Sequence, residues 1–419
     1  MECNPNIFEY FWITFHKSSK IFGLCHIFDY ICSENKRRYI MIKRTLESRI
    51  CDYIGKGKAI IVFGARQVGK TTLLHMIYKN DDDNTLWLNG DEPDVRALFE
   101  NATSTRLNSI IGTRKVVVVD EAQRISNIGL SLKLIIDTNP TVQVIATGSS
   151  SFDIANTINE PLTGRKFEML MFPLSFSELS AHNGLLNETR MLQHRLVYGS
   201  YPDVVNNVGD EREVLQQLSD SYLYKDILAY DKIKKNERIE KLLQALAYQI
   251  GSEVSYNELA QTCGLDPKTV DSYVQLLEKA YIIFRLPSYS RNLRNELKFA
   301  KKIYFWDCGI RNAVIGNFQQ PETRQDIGAL FENYIISERL KQQSYAHTYA
   351  KGYFWRTSAK QEIDYIEEAN GSLAAFEFKW NPRRKATIPA SFARAYPDVP
   401  FTVITRDNYW EFLSFTNAI

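Results

Sequence analysis

The chain has 419 residues, too many for one small hydrophobic core and enough for two or three domains. At 44% hydrophobic and 24% charged residues it has the mixture of an ordinary folded protein, which excludes disordered, collagen-like and disulfide-scaffold classes. Lys plus Arg at 51 against Asp plus Glu at 49 leaves a net charge of +2, so any nucleic-acid-binding surface has to be local.

The first forty residues stand apart: they are rich in aromatics and hold Cys3, Cys25 and Cys32. Lys17 and Lys20 split two apolar runs, 10–16 and 21–28, each too short to span a bilayer, and no signal-peptide pattern is present. Three readings stay open: an interfacial aromatic segment, a partner-binding arm, or an upstream start before a protein that begins at Met41. The third is preferred, because Ile42, Leu46, Ile50 and Ile54 run at helical spacing from Met41 into the first strong strand. The six cysteines lack paired short spacings and the six histidines are scattered, so reduced thiols, a cytoplasmic location and no zinc site are expected.

Ala59 to Phe63 is a short apolar run of β-formers, followed by Gly64-Ala65-Arg66-Gln67-Val68-Gly69-Lys70-Thr71-Thr72 and a helical pattern to Tyr78. Gly, four residues, then Gly-Lys-Thr between strand and helix is a phosphate-binding loop in its required context. Glycines let backbone N–H groups turn inward around a phosphate and the helix offers its N-terminus, while Lys70 supplies charge and the Thr71 hydroxyl a ligand for Mg²⁺. Thr85 to Asn89 reads as a further strand.

Val116 to Val119 is a run of four β-branched residues, a strand buried on both faces, which places Asp120 at its carboxyl end. Asp120 is expected to hold Mg²⁺ through water or with Thr71, and Glu121 to orient and deprotonate the attacking water. Val142 to Ala146 is another buried strand, ending in Thr147-Gly148-Ser149-Ser150-Ser151, whose hydroxyls either reach the phosphate or form a polar turn. With Phe167 to Met171 the strands make a mainly parallel five-stranded sheet with helices between.

The blocks Phe63 to Leu73, Val119-Asp120-Glu121-Ala122-Gln123, Ala146 to Ser150, Leu162-Thr163-Gly164-Arg165 and Phe172-Pro173-Leu174-Ser175-Phe176-Ser177-Glu178 resemble a prokaryotic family of AAA-type ATPases. That family joins its ATPase to a C-terminal domain of unknown function, and the resemblance runs from about Met41 to the end. It implies that the strand ending at Thr147 separates the loop strand from the strand of Asp120 and Glu121, and that Ser149 is a sensor. Arg165 is then either a neutraliser of transition-state charge, in cis or across a subunit contact, or a partner in a structural salt bridge.

Ser255 with Glu258 starts a helix that Gly264 ends, and Asp266 caps a second, with Pro267 at its first position, running to about Lys279. With β-type Tyr281 to Leu286 this predicts a winged helix-turn-helix. Val270, Tyr273, Val274 and Leu277 form its inner stripe, leaving Lys268, Thr269, Asp271, Ser272 and Gln275 outward, a face of mixed sign that suits DNA or protein contact. Arg285, Arg291, Arg294, Lys298, Lys301 and Lys302 then stand against Glu296, a basic stretch that either meets DNA phosphates or packs domains together, since 302–309 resembles the family's linker block.

Residues 362–369 and 372–380, joined by Asn370-Gly371, read as a two-residue hairpin. With that turn, Asp364 faces Glu377 and Glu362 faces Lys379, all on one face. Opposed carboxylates ask for a cation, so Asp364 and Glu377 are candidate ligands of a catalytic Mg²⁺ with Lys379 neutralising developing charge. Asp364 with Glu377-Phe378-Lys379 resembles the PD-(D/E)xK nuclease core, though Ile363 stands where that pattern often has proline and many such domains are inactive. Arg383, Arg384 and Lys385 lie just beyond and either steer a phosphate backbone or coat a loop.

The expected fold is α/β: an aromatic-rich extension (1–40), a P-loop AAA-type parallel-sheet domain (41–215), a winged helix (216–300) and an α/β restriction-endonuclease-like domain (301–419). The expected activity is Mg²⁺-dependent ATP hydrolysis that controls the C-terminal region on DNA, in a possible homo-oligomer and away from membranes. The alternative is a low-turnover ATP-binding switch that holds protein partners.

Overall fold

The computed structural model describes residues 41–78, 83–149, 162–220, 236–290 and 301–414. The first forty residues, Ser150, Ser151 and the basic residues Arg291, Arg294 and Lys298 lie outside them. From Ile42 onward the chain forms one unit.

Helix α1 (Thr45–Tyr53) leads into β1 (Ala59–Gly64), the phosphate-loop turn and α2 (Lys70–Ile77). There follow β2 (Thr85–Asn89), α3 (Pro93–Phe99), α4 (Ser104–Ile111), β3 (Val116–Asp120), α5 (Ile128–Thr138), β4 (Gln143–Gly148) and β5 (Lys166–Met171). These strands form a five-stranded sheet in the order β2-β3-β4-β1-β5, and every pairing is parallel. As expected, β4 lies between β1 and β3, so the loop after β1 and the carboxylates after β3 share the carboxyl edge of the sheet.

Both faces are covered, which is why its strands read as unbroken apolar runs rather than alternating ones. Ile60 and Val62 point into one core with Leu46 and Ile50 of α1, while Ile61 and Phe63 point into the other with Ile128, Leu132 and Ile135 of α5.

After β5 come α6 (Phe176–Asn183), α7 (Leu185–Arg190), α8 (Leu192–Tyr198), α9 (Pro202–Asn206) and α10 (Glu211–Leu218). A capping box starts α6: the Ser175 hydroxyl accepts from the Glu178 amide, and Glu178 accepts from the Ser175 amide. Next are α11 (Asn236–Tyr248), β6 (Glu253–Val254), α12 (Tyr256–Cys263), α13 (Pro267–Lys279), β7 (Ile283–Pro287) and β8 (Lys301–Phe305). Ser255 and Asp266 cap α12 and α13 as the sequence indicates, and Gly264 ends α12 in the left-handed conformation. The three strands make a small antiparallel sheet, β6-β8-β7.

Helices α14 (Cys308–Val314) and α15 (Ile327–Ala346) precede a four-stranded sheet of β9 (Lys351–Arg356), β10 (Glu362–Ala369), β11 (Ser372–Lys379) and β12 (Phe401–Thr405), in the order β12-β11-β10-β9. Helices α16 (Ala390–Ala395) and α17 (Tyr409–Ser414) complete the described chain. The linker block packs elements together: the buried Asp307 carboxylate accepts from the amides of Ser200 (2.8 Å) and Ile310 (3.0 Å). The Asn312 amide in turn donates to the carbonyls of Leu196 and Val197 at the end of α8, groups a helix terminus otherwise leaves unsatisfied.

Candidate nucleotide site and carboxylate cluster

The turn between β1 and α2 needs its glycines for two different reasons. A Cβ on Gly64 would lie 2.1 Å from the Met171 carbonyl oxygen, so only glycine lets β1 and β5 pass this closely. Gly69 sits at φ +94°, a left-handed conformation that turns the backbone into α2. Lys70, 5% exposed, donates to the carbonyls of Gly64 (2.9 Å) and Ala65 (2.8 Å), so its ammonium lies within the curl of the loop.

The Thr71 hydroxyl donates to Asp120 Oδ2 at 2.8 Å. The other Asp120 oxygen accepts from the Thr147 hydroxyl and, at 3.2 Å, from the Glu121 amide. The ends of β3 and β4 and the start of α2 therefore converge on one polar spot. Glu121 takes a left-handed backbone (φ 48°), and its carboxylate accepts from the Gln123 side-chain amide, which also donates to the Ser149 hydroxyl at 2.9 Å. Gln123 is thus the strut between Glu121 and Ser149. Its motif was visible in the sequence, but its role depends on the turn that folds it back.

Arg165 is not brought to this site within its own chain. It immediately precedes β5, and its carbonyl accepts from the Ala59 amide at the start of β1, so it sits at the amino edge of the parallel sheet, opposite Lys70 and Asp120. Its guanidinium pairs with Asp137 at 2.8 Å, both groups well exposed. An action in cis on the phosphate is corrected to a surface ion pair.

The second constellation lies on the C-terminal sheet. Hairpin register follows the Asn370-Gly371 turn, with Tyr365 opposite Phe376 and Ala369 opposite Ser372. Beyond Tyr365 the strand departs from regular pairing, for β10 carries a register shift against β9 between Ile363 and Ile366. Asp364 instead accepts from the Phe378 amide at 2.8 Å. Lys379 bonds Glu377 at 2.5 Å and lies 4.0 Å from Asp364. Glu362 does not pair with Lys379, as register alone predicted; it meets Lys302 at 2.5 Å.

Lys302 comes from β8, is 1% exposed, and also bonds Glu332 of α15 at 3.1 Å. The Tyr304 hydroxyl, one strand step along, donates to Glu332 at 2.5 Å. Burial, with Glu332 and Glu377 nearby, pushes the Asp364 carboxyl well above the ordinary aspartate range. Burial pulls the Lys302 ammonium down, but Glu332, Glu362 and Asp364 outweigh it and hold the group protonated. Glu332, Lys302 and Tyr304 are the members that sequence reading did not assign to the cluster. Among the described residues no group of three or more His, Cys, Asp or Glu side chains is set to hold a metal ion. Two ammonium groups already stand among the carboxylates.

The basic stretch is also changed. Arg285 bonds Glu278 at 2.5 Å and lies 3.6 Å from Asp271, and Lys302 is buried, so two of the six cations of that stretch are paired with carboxylates of the chain itself. The α13 stripe is as expected at Val270, Val274 and Leu277, with Leu276 buried as well. Among the described residues no helix is long and apolar enough to cross a membrane.

With that geometry in place, three family profiles match in succession: one described as AAA domain over residues 56–180, and two described as domains of unknown function, DUF8612 over 189–321 and DUF4143 over 327–411. Residues 56–180 are similar to AAA domains. That segment holds the parallel sheet, the phosphate loop, Asp120 and Glu121. An uncharacterized protein of Haemophilus influenzae is 24% identical over 285 residues, covering 61% of this chain and 69% of its own. One from Methanocaldococcus jannaschii is 21% identical over 381 residues, covering 86% and 82%. A signal-transduction ATPase (STAND protein) from Pyrococcus horikoshii superposes at 11% identity over 72% of this chain and 45% of its own, with a TM-score of 0.28, too low to carry a structural argument.

Proposed function

We propose that the chain binds ATP with Mg²⁺ in the loop 64–72 and hydrolyses it. The observation that carries this is the 2.8 Å contact between the Thr71 hydroxyl at the start of α2 and Asp120 at the end of β3, beside the buried Lys70. These two oxygens fit a hard cation that prefers oxygen ligands, and when bound it would draw charge from the β- and γ-phosphates. Amides of Ala65 to Thr72 face the phosphates, Lys70 supplies the point charge, and Glu121 accepts a proton from water as the water oxygen bonds to phosphorus and the bridging P–O bond breaks. Gln123 and Ser149 fix the direction of the Glu121 carboxylate. Steady-state phosphate release with and without duplex DNA tests this, against Lys70→Ala as the inactive reference.

For the downstream region our reading is a winged helix over α11 to β8 and a PD-(D/E)xK nuclease-like domain carrying Glu332, Asp364, Glu377 and Lys379. Support comes from the helix-turn-helix with its small antiparallel sheet, and from the carboxylates brought together across β10, β11 and α15. A second reading, in which ATP sets the hold on a partner and the cluster does not cleave, is favoured by Lys302 and Lys379 lying within the cluster. Plasmid incubated with Mg²⁺ or Mn²⁺ separates the two: nicking abolished by Asp364→Ala supports cleavage on DNA, and an intact plasmid supports the second.

A further inference from the structure

The phosphate loop is gripped from behind by a residue outside its motif. Arg44, just before α1, is 5% exposed, and its guanidinium donates in three directions: to the Val68 carbonyl at 2.6 Å, the Phe172 carbonyl at 2.7 Å and Glu178 Oε1 at 3.1 Å. Glu178 is itself fixed by the amides of Thr45 (2.8 Å) and Ser175 (2.9 Å). Tyr345, in the last turn of α15, accepts from the Phe172 amide at 3.2 Å, so it holds the same residue whose carbonyl Arg44 grips.

A planar trans peptide points its C=O and N–H in opposite directions. Holding the Val68 carbonyl outward therefore turns the Gly69 N–H inward, toward the place a phosphate would take. Gly69 has no Cβ to restrict that rotation, so the peptide needs an external hold to stay in one orientation.

We propose that Arg44 is a positioning residue of the nucleotide site, fixing the Val68–Gly69 peptide, and that Tyr345 ties this hold to α15. The proposal rests on the reading that the loop binds ATP. It gives α15 two attachments: Tyr345 at Phe172, which shares the Arg44 guanidinium with the loop, and Glu332, thirteen residues or about 20 Å earlier along the helix, in the carboxylate cluster. Glu338 of the same helix accepts from the Phe176 amide at 2.7 Å, making the joint between α15 and the ATPase half a double one.

The test uses the full chain, with ATP and Mg²⁺, in wild type, Arg44→Lys and Tyr345→Phe. KM and kcat are measured below the melting temperature of each, with hydrogen exchange of residues 338–346 with and without nucleotide. A lysine cannot reach all three acceptors, and losing a charge-assisted buried bond should raise KM for ATP by about ten-fold or more, with kcat falling less. Tyr345→Phe removes one hydroxyl and leaves the fold; it should raise KM more mildly and abolish the ATP-dependent slowing of exchange that the proposal predicts for wild type. Wild-type KM in both variants, or exchange that responds to ATP equally in all three, overturns the proposal while leaving the nucleotide reading standing. Wild type that takes up no ATP overturns both.

Discussion

Lys302 and Glu332 meet at 3.1 Å although one belongs to the small antiparallel sheet and the other to the long helix of the C-terminal region. The lysine is 1% exposed and also holds Glu362, so β8 completes the charge balance of the carboxylate cluster.

Removing that lysine alone leaves two partly buried carboxylates without their counter-charge. Lys302→Met is expected to cost about 3–5 kcal/mol in denaturant unfolding. Adding Glu332→Gln should return part of the loss. A double variant no more stable than the single would show that the two groups are not coupled.

Asp364 makes the stability of the protein depend on pH in an unusual direction. Its folded value lies above its unfolded value, so its contribution is full below about pH 4 and is lost as pH rises through the raised value. Asp364→Asn is therefore expected to raise the melting temperature at pH 7 to 8 and to make little difference near pH 3. Thermal melts of both proteins across that range check this; a variant less stable than wild type at pH 8 would contradict it.

Arg165 pairs with Asp137 on the surface, with both side chains more than a third exposed. Arg165→Ala should change stability by less than about 1 kcal/mol and leave turnover within about two-fold. A hundred-fold loss of turnover would mean that the residue reaches the phosphate of a neighbouring subunit.

Much of this was legible because local rules decide it. Thr85 to Asn89 is a strand at the bounds its β-rich run indicates, and Asp266-Pro267 starts α13 where its side chain can cap two amides. The Asn370-Gly371 turn sets five hairpin pairs. Its authority ends at the irregularity after Ile363, because two turn residues cannot encode a register shift against a third strand. Lys302 and Glu332 were hidden for a related reason: nothing within thirty residues of chain says that β8 and α15 will meet. Among the readings open for Arg165, the surface pair had a signal in the sequence, for a residue just before a parallel strand lies at the edge opposite the phosphate loop.

The proposed hydrolysis needs Glu121 to act on a triphosphate held by Lys70, Thr71 and Asp120. Phosphate release from ATP by purified wild type and Glu121→Gln, with ATP binding by each followed in parallel, tests it most directly. Mg²⁺-dependent release that falls by about a hundred-fold or more in the variant, with binding retained, is the predicted result. Equal release by both proteins, or no uptake of ATP by well-folded wild type, would contradict it.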